Sequence, residues 1–174
     1  MTGERDGEWH EWPFDPLPVL SALGRHRVEY VLIGGLAAVL QGSPLPTYDI
    51  DLAPAPGAAN ARRLESALAD AQAAALTDGD DAQQALRRHT DVSLSTPFGY
   101  VDLHYRPAGF DTYAALRRNA APIQLEPDLT VLVSPLRDII RSRTAAGDPR
   151  QLPAREATLE LAQTAPRTRA READ

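Results

Sequence analysis

Three aspartates and a glycine pair are the residues whose types and spacing could do chemistry in this chain. Gly34-Gly35 is followed, thirteen residues later, by Asp49-Ile50-Asp51. On a strand, side chains two apart share a face, so Asp49 and Asp51 project together, roughly 6–7 Å apart along the backbone. Two carboxylates held so close repel each other unless a cation lies between them. Hard oxygen ligands of this kind suit Mg²⁺ (or Mn²⁺), which takes one or two carboxylates together with substrate phosphates. A Gly-Gly turn at a helix start offers backbone N–H groups to an anion. Phosphate cradle and metal strand side by side make a nucleoside triphosphate (NTP) site. Val101-Asp102-Leu103 supplies a third carboxylate on another alternating strand. If that strand neighbours the first, two metals could clamp an in-line phosphoryl displacement. Asp102 would then be the general base for an acceptor hydroxyl.

The elements around these residues have to place them. Val28 to Ile33 is a β-type run that stops at the glycines, and Leu36 to Leu40 is a short helix closing at Gly42. Tyr48 to Leu52 alternates, with Ile50 and Leu52 on one face and the aspartates on the other, and Pro54 and Pro56 end it. Upstream, Asp15-Pro16 starts a helix with Val19, Leu20 and Leu23 apolar. Downstream, Asn60 to Ala75 is an alanine-rich helix, Thr77 to Asp81 an acidic loop and Ala82 to Arg88 a short helix. Val92 to Thr96 and Tyr100 to Tyr105 read as a hairpin around Pro97-Phe98-Gly99. Phe110 to Arg118 is helical, Ile123–Leu125 and Thr130–Val133 are strands, and helices follow from Ser134-Pro135 to Ala146 and from Ala154 to Gln163. This order predicts a mixed α/β (α+β) fold with an antiparallel component, not a doubly wound parallel sheet.

Composition narrows the function. The chain has 174 residues and a net charge of −6, and its eighteen basic residues are all arginine. With no lysine there is no P-loop, no kinase lysine and no side-chain Schiff base. With no cysteine there is no disulfide, zinc ribbon or thiolate nucleophile. The longest apolar stretch, Val31 to Leu40, is too short to span a bilayer. The N-terminus is acidic, unlike a secretory or transit peptide, so a cytoplasmic location without membrane association is expected. The acidic total argues against broad nucleic-acid binding.

The run from Tyr30 through Ile33-Gly34-Gly35 to Pro44, followed by Thr47-Tyr-Asp-Ile-Asp-Leu52, resembles the nucleotidyltransferase superfamily. More narrowly, it is similar to small bacterial proteins related to AbiEii-type toxins. Val101–Leu103, the helix from Tyr113 to Arg118, and Val133-Ser-Pro-Leu-Arg-Asp-Ile-Ile-Arg-Ser-Arg-Thr-Ala-Ala-Gly147 fit the same pattern, so the likeness spans residues 28–152. It implies a single nucleotidyltransferase-like domain, a mixed sheet flanked by helices over 15–165, with an N-terminal arm at 1–14 and a C-terminal tail at 166–174. It implies Mg²⁺-dependent transfer of a nucleoside monophosphate from an NTP to an RNA (tRNA) or protein hydroxyl, with a toxin role and an antitoxin protein as partner. Gly34 and Gly35 match the phosphate-binding turn. Asp49, Asp51 and Asp102 match the metal and catalytic carboxylates. Thr47 matches the hydroxyl residue before the metal strand, and Arg143 a lysine position that steadies phosphate.

The chain also departs from that family. The turn lacks the serine that often follows its first glycine. Leu45 stands where many relatives carry arginine, and Asp148 and Gln151 replace a basic and an acidic residue. These departures motivate an alternative, a catalytically weakened module that binds nucleotide or a protein partner. A small-molecule adenylyltransferase of the antibiotic-modifying kind ranks third, since no second domain for such a substrate is visible. His104 shares a strand face with Asp102 and is either a metal or phosphate contact or an exposed or satisfied strand histidine. Arg87-Arg88 and Arg117-Arg118 either hold RNA phosphates or form wet helix faces, and Trp9, Trp12 and Phe14 either stack on a partner or pack against the first helix.

Overall fold

The computed structural model describes residues 14–76, 81–149 and 152–164. Apolar spacing places helix α1 (Leu17–Arg25), which buries Val19, Leu20 and Leu23. Asp15 accepts the Leu17 N–H at 3.1 Å. The cap is nevertheless Pro16, one residue later than the sequence suggests, because the first helical bond runs from Leu20 N–H to the Pro16 carbonyl. Strand β1 (Tyr30–Leu32) leads into α2 (Gly34–Val39), so the glycines are the first turn of the helix itself. Strand β2 (Asp49–Pro54) follows, then α3 (Ala58–Asp70).

The alanine-rich helix stops five residues short of the expected Ala75. Gln72 turns left-handed at φ 56°, and Ala74–Ala75 form an edge strand, β3, against Ser95 and Leu94. Helix propensity would carry the run on, but Ala71 is buried in the core and the sheet edge offers the next backbone partners, so tertiary context wins. Helix α4 (Ala82–Arg88) is capped by Asp81, which accepts the Gln84 N–H. The hairpin β4 (Val92–Thr96) and β5 (Gly99–Leu103) comes next. Helix α5 (Tyr113–Asn119) starts later than Phe110 because Thr112 caps it through the Ala115 N–H. A second hairpin, β6 (Ala121–Glu126) and β7 (Leu129–Val133), precedes α6 (Leu136–Ala146) and α7 (Leu152–Thr164).

All seven strands join one sheet in the order β3-β4-β5-β2-β1-β7-β6. The β1–β7 and β2–β5 pairs are parallel and the others antiparallel, the mixed arrangement expected. One face is the core: Ile50, Leu52, Leu94, Val101 and Leu103 pack against Leu20 and Leu23 of α1, Leu64 of α3 and Leu86 of α4. The opposite face is only partly covered, by a small cluster of Val31, Ala53, Phe110 and Leu116. Strand alternation therefore leaves the polar half of β2, β5 and β4 open. Phe14 packs against the main core, whereas Trp9, Trp12, Gln151 and the tail at 166–174 lie outside the described residues. No helix among the described residues is long and apolar enough to cross a membrane.

Candidate active site

The buried residues Ile50 and Leu52 anchor β2 and turn Asp49 and Asp51 to the open face. Strand β5 lies parallel beside it, with Asp49 paired to Tyr100 and Asp51 to Asp102. The adjacency that the sequence could state only as a condition is thus met. One carboxylate oxygen from each of Asp49, Asp51 and Asp102 falls within 4.8 Å of the others.

The glycine pair fits against this cluster by shape. Gly34 has φ +66°, and a Cβ there would lie 2.5 Å from Asp51 Cγ. A Cβ on Gly35 would lie 3.0 Å from Thr47 Cβ. Only hydrogen at both positions lets the turn approach β2 this closely. The Gly35 N–H faces Asp51 Oδ2 at 3.4 Å. Thr47 donates its hydroxyl to Asp49 Oδ1 at 2.5 Å, so it orients a carboxylate.

Crowded like charges show in the electrostatics. Asp49 is pushed above the ordinary carboxylate range by burial first and then by Asp51, with Asp102 adding to it and the Thr47 hydrogen bond opposing. His104 is brought onto the same cluster, its Nε2 3.2 Å from Asp51 Oδ1 and its Nδ1 3.7 Å from Asp91 Oδ2. The hydrogen bond to Asp51 raises its pKa against the opposing effect of burial. Asp91 is itself fixed by the Tyr105 N–H at 2.8 Å. His104 is thus a part-exposed histidine satisfied by two carboxylates.

Asp49, Asp51 and Asp102 line a cleft of about 670 Å³ that also takes in Gly34, Gly35 and Arg143. Arg143 does not stand free on that wall. Its Nη1 donates to the Ala154 carbonyl at 2.8 Å and to the buried Thr158 hydroxyl at 2.6 Å, tying α6 to α7. Burial lowers its pKa, and Asp51 and Asp49 oppose that shift. Leu45 also lines the cleft and is partly exposed. Arg87, Arg88, Arg117 and Arg118 are exposed on helices α4 and α5, and none of them lines the cleft.

Asp91, Arg106 and Asp138 reach the cleft without having been singled out by sequence. Asp138 is buried and accepts the Asn119 amide at 3.0 Å. Its only local signal, an acidic residue in the first turn of a helix, is shared by ordinary helix starts.

The donor set is all oxygen, with one imidazole behind it, and its like charges relax only when a cation or a proton intervenes. The residues therefore fit a hard divalent ion such as Mg²⁺ or Mn²⁺.

No protein-family model matches the chain, and no curated protein matches it. Solved structures do. A candidate nucleotidyltransferase from Thermotoga maritima superposes with a TM-score of 0.55 at 14% identity, covering 90% of this chain and 99% of that one. ANT(2″)-Ia, in complex with adenylyl-2″-tobramycin, superposes with a TM-score of 0.55 at 15% identity, covering 85% of each chain. The chain therefore has a nucleotidyltransferase-like fold.

Proposed function

We propose that this chain is a divalent-metal-dependent nucleotidyltransferase. It moves a nucleoside monophosphate from an NTP to a hydroxyl of an RNA (tRNA) or protein acceptor, and acts as the toxin of a cytoplasmic toxin–antitoxin pair. The observation that carries the reading is the meeting of Asp49, Asp51 and Asp102 beside the Gly34-Gly35 turn. In this reading Asp49 and Asp51 hold the metal, with Thr47 and His104 orienting their oxygens. The bound ion supplies charge stabilisation at the α-phosphate and at the leaving pyrophosphate. Gly34 and Gly35 let the start of α2 close on Asp51 and Thr47, which brings the phosphate-binding turn beside the carboxylates, and Arg143 adds a positive charge on the far wall. Asp102 accepts the proton of the acceptor hydroxyl. The hydroxyl oxygen forms a bond to the α-phosphorus, the bond from that phosphorus to the bridging oxygen breaks, and pyrophosphate leaves with the electron pair.

The test is incubation of pure protein with Mg²⁺, each α-labelled NTP, total RNA and cell lysate. Label should pass to an acceptor, and Asp49→Ala should abolish it. Transfer that survives Asp49→Ala sinks the metal assignment.

A second reading, a weakened module that binds nucleotide without transferring it, draws on one observation: Arg143 is engaged with α7. A thermal shift with NTP and Mg²⁺, together with no label on any acceptor, would favour it.

A further inference from the structure

The carboxylates have a second side. Beyond Asp49 and Asp102 lies a shallower hollow of about 340 Å³, lined also by Leu76, Ser93 and Tyr100. Tyr100 is 44% exposed and Leu76 46%, high values for large apolar side chains on a sheet. Strand pairing places them: Tyr100 sits opposite Asp49 across β2–β5, and Ser93 sits opposite Asp102 across β4–β5. Along the sheet the order is therefore hollow on β3, β4 and β5, carboxylates on β5 and β2, then the Gly34-Gly35 turn after β1.

In-line displacement requires the nucleophile to enter opposite the leaving group. With pyrophosphate on the glycine side, the hollow lies across the carboxylates from the leaving group, on the side an in-line acceptor would use. We infer that the Leu76–Ser93–Tyr100 hollow is the acceptor subsite, and that it takes a hydroxyl on an uncharged or cationic protein segment. This inference rests on the nucleotidyltransferase reading above.

The charge on the walls selects the acceptor class. Asp49 and Asp102 are the charged side chains among the described residues lining the hollow, and none there is basic. A polynucleotide brings a phosphate with every residue and needs cations to receive it. Here no basic side chain among the described residues lines the hollow to receive those phosphates, and the chain carries a net charge of −6. A serine, threonine or tyrosine in a peptide brings no such charge. Its apolar surroundings can cover Tyr100 and Leu76, and flanking arginines would be attracted.

The experiment pairs two acceptors with two variants. Wild type, Tyr100→Ala and Tyr100→Phe are given α-labelled NTP and Mg²⁺ with either a Ser/Thr/Tyr peptide library flanked by arginine or unfractionated tRNA. NTP affinity is measured separately by calorimetry with a non-hydrolysable analogue. Label should pass to peptide and not to tRNA. Tyr100→Ala should raise the peptide KM about tenfold while NTP affinity stays unchanged, and Tyr100→Phe should behave as wild type. Labelling of tRNA alone, labelling of neither acceptor with NTP still bound, or an unchanged peptide KM in Tyr100→Ala overturns the subsite. A wild type that neither binds NTP nor labels anything overturns the nucleotidyltransferase reading, and the subsite with it.

Discussion

The two walls of the cleft are held by different forces. On the β2 side, backbone geometry does the work: parallel register sets Asp51 against Asp102, and the missing side chain of Gly34 lets the turn close on Asp51. On the α6 side, a long side chain does it, with Arg143 reaching across to Ala154 and Thr158. Backbone-held geometry has few alternative states, so it is precise and brittle. A wall held by side-chain hydrogen bonds can rearrange at the cost of a bond or two. The two walls should therefore fail by very different amounts.

The largest effect should come from Gly34→Ala. The new Cβ would be driven into the Asp51 carboxylate, and the residue would keep a left-handed φ of +66°. Gly147, the C-cap of α6, is the control, because its φ is +64° and nothing lies within 4 Å of a Cβ there. Gly147→Ala should cost about 1 kcal/mol from left-handed strain alone and leave transfer intact. Gly34→Ala should lose transfer on the order of 100-fold, since a displacement of about 1 Å in a catalytic group has that effect. Calorimetry and label transfer on the two variants separate the clash from the strain. Equal losses in both would show that Asp51 is not held in place by the glycine.

A smaller effect should appear as stability against pH. The folded pKa of Asp49 is raised by burial and by its acidic neighbours. Its contribution is fully present below the ordinary aspartate value and is lost as pH rises through the raised one. The His104 pKa is also raised, through Asp51, so the stability from that contact is present below the ordinary histidine value and lost as pH rises through the folded one. The metal-free protein should thus lose thermal stability with rising pH in both windows. Mg²⁺ should restore it at neutral pH by occupying the space between the carboxylates. Asp49→Asn should raise the metal-free Tm and remove the Mg²⁺ increment. A Tm that ignores both pH and Mg²⁺ would mean that the charges are not crowded in solution.

Legibility in the sequence divides along the same line as the two walls. Asp49, Asp51 and Asp102 could be read because a strand has period two and each aspartate is flanked by apolar residues. The spacing after Gly34-Gly35 could be read because one short helix and a loop fill it. The pairing of Asp51 with Asp102 could not, since it depends on β5 crossing back beside β2. Strand β3 was hidden because Ala74–Ala75 carries a helix-forming residue type and becomes a strand only by pairing with β4. Asp91, Arg106 and Asp138 follow no local pattern and reach the cleft only through the folded chain. The bond from Arg143 to Thr158 spans two helices, and helical periodicity says nothing about which faces meet.

The smallest effect tests whether Arg143 acts as a strut or as a phosphate cation. Thr158 is fully buried and shares Arg143 Nη1 with the Ala154 carbonyl. Thr158→Val keeps the shape but removes the acceptor for Arg143 and the hydroxyl's own bond to the Ala154 carbonyl, which remains for Arg143. The loss should be about 1–2 kcal/mol, seen as faster amide exchange in α7 with NTP affinity changed by less than about threefold. Arg143→Lys keeps the charge, but its ammonium ends one bond short of Nη1, the nitrogen that makes both bonds, so it cannot reach both partners in that geometry. If Arg143 is chiefly a strut, Lys should leave α7 as exposed to exchange as Ala does. If it is chiefly a phosphate cation, Lys should restore NTP affinity that Ala loses. The cleft position beside Asp49 and Asp51, together with the two bonds to α7, predicts both results at once: affinity rescued by lysine and α7 protection not rescued. Lysine rescue of both would show that a cation at this position is enough to hold α7 and that the reach of Arg143 Nη1 is incidental.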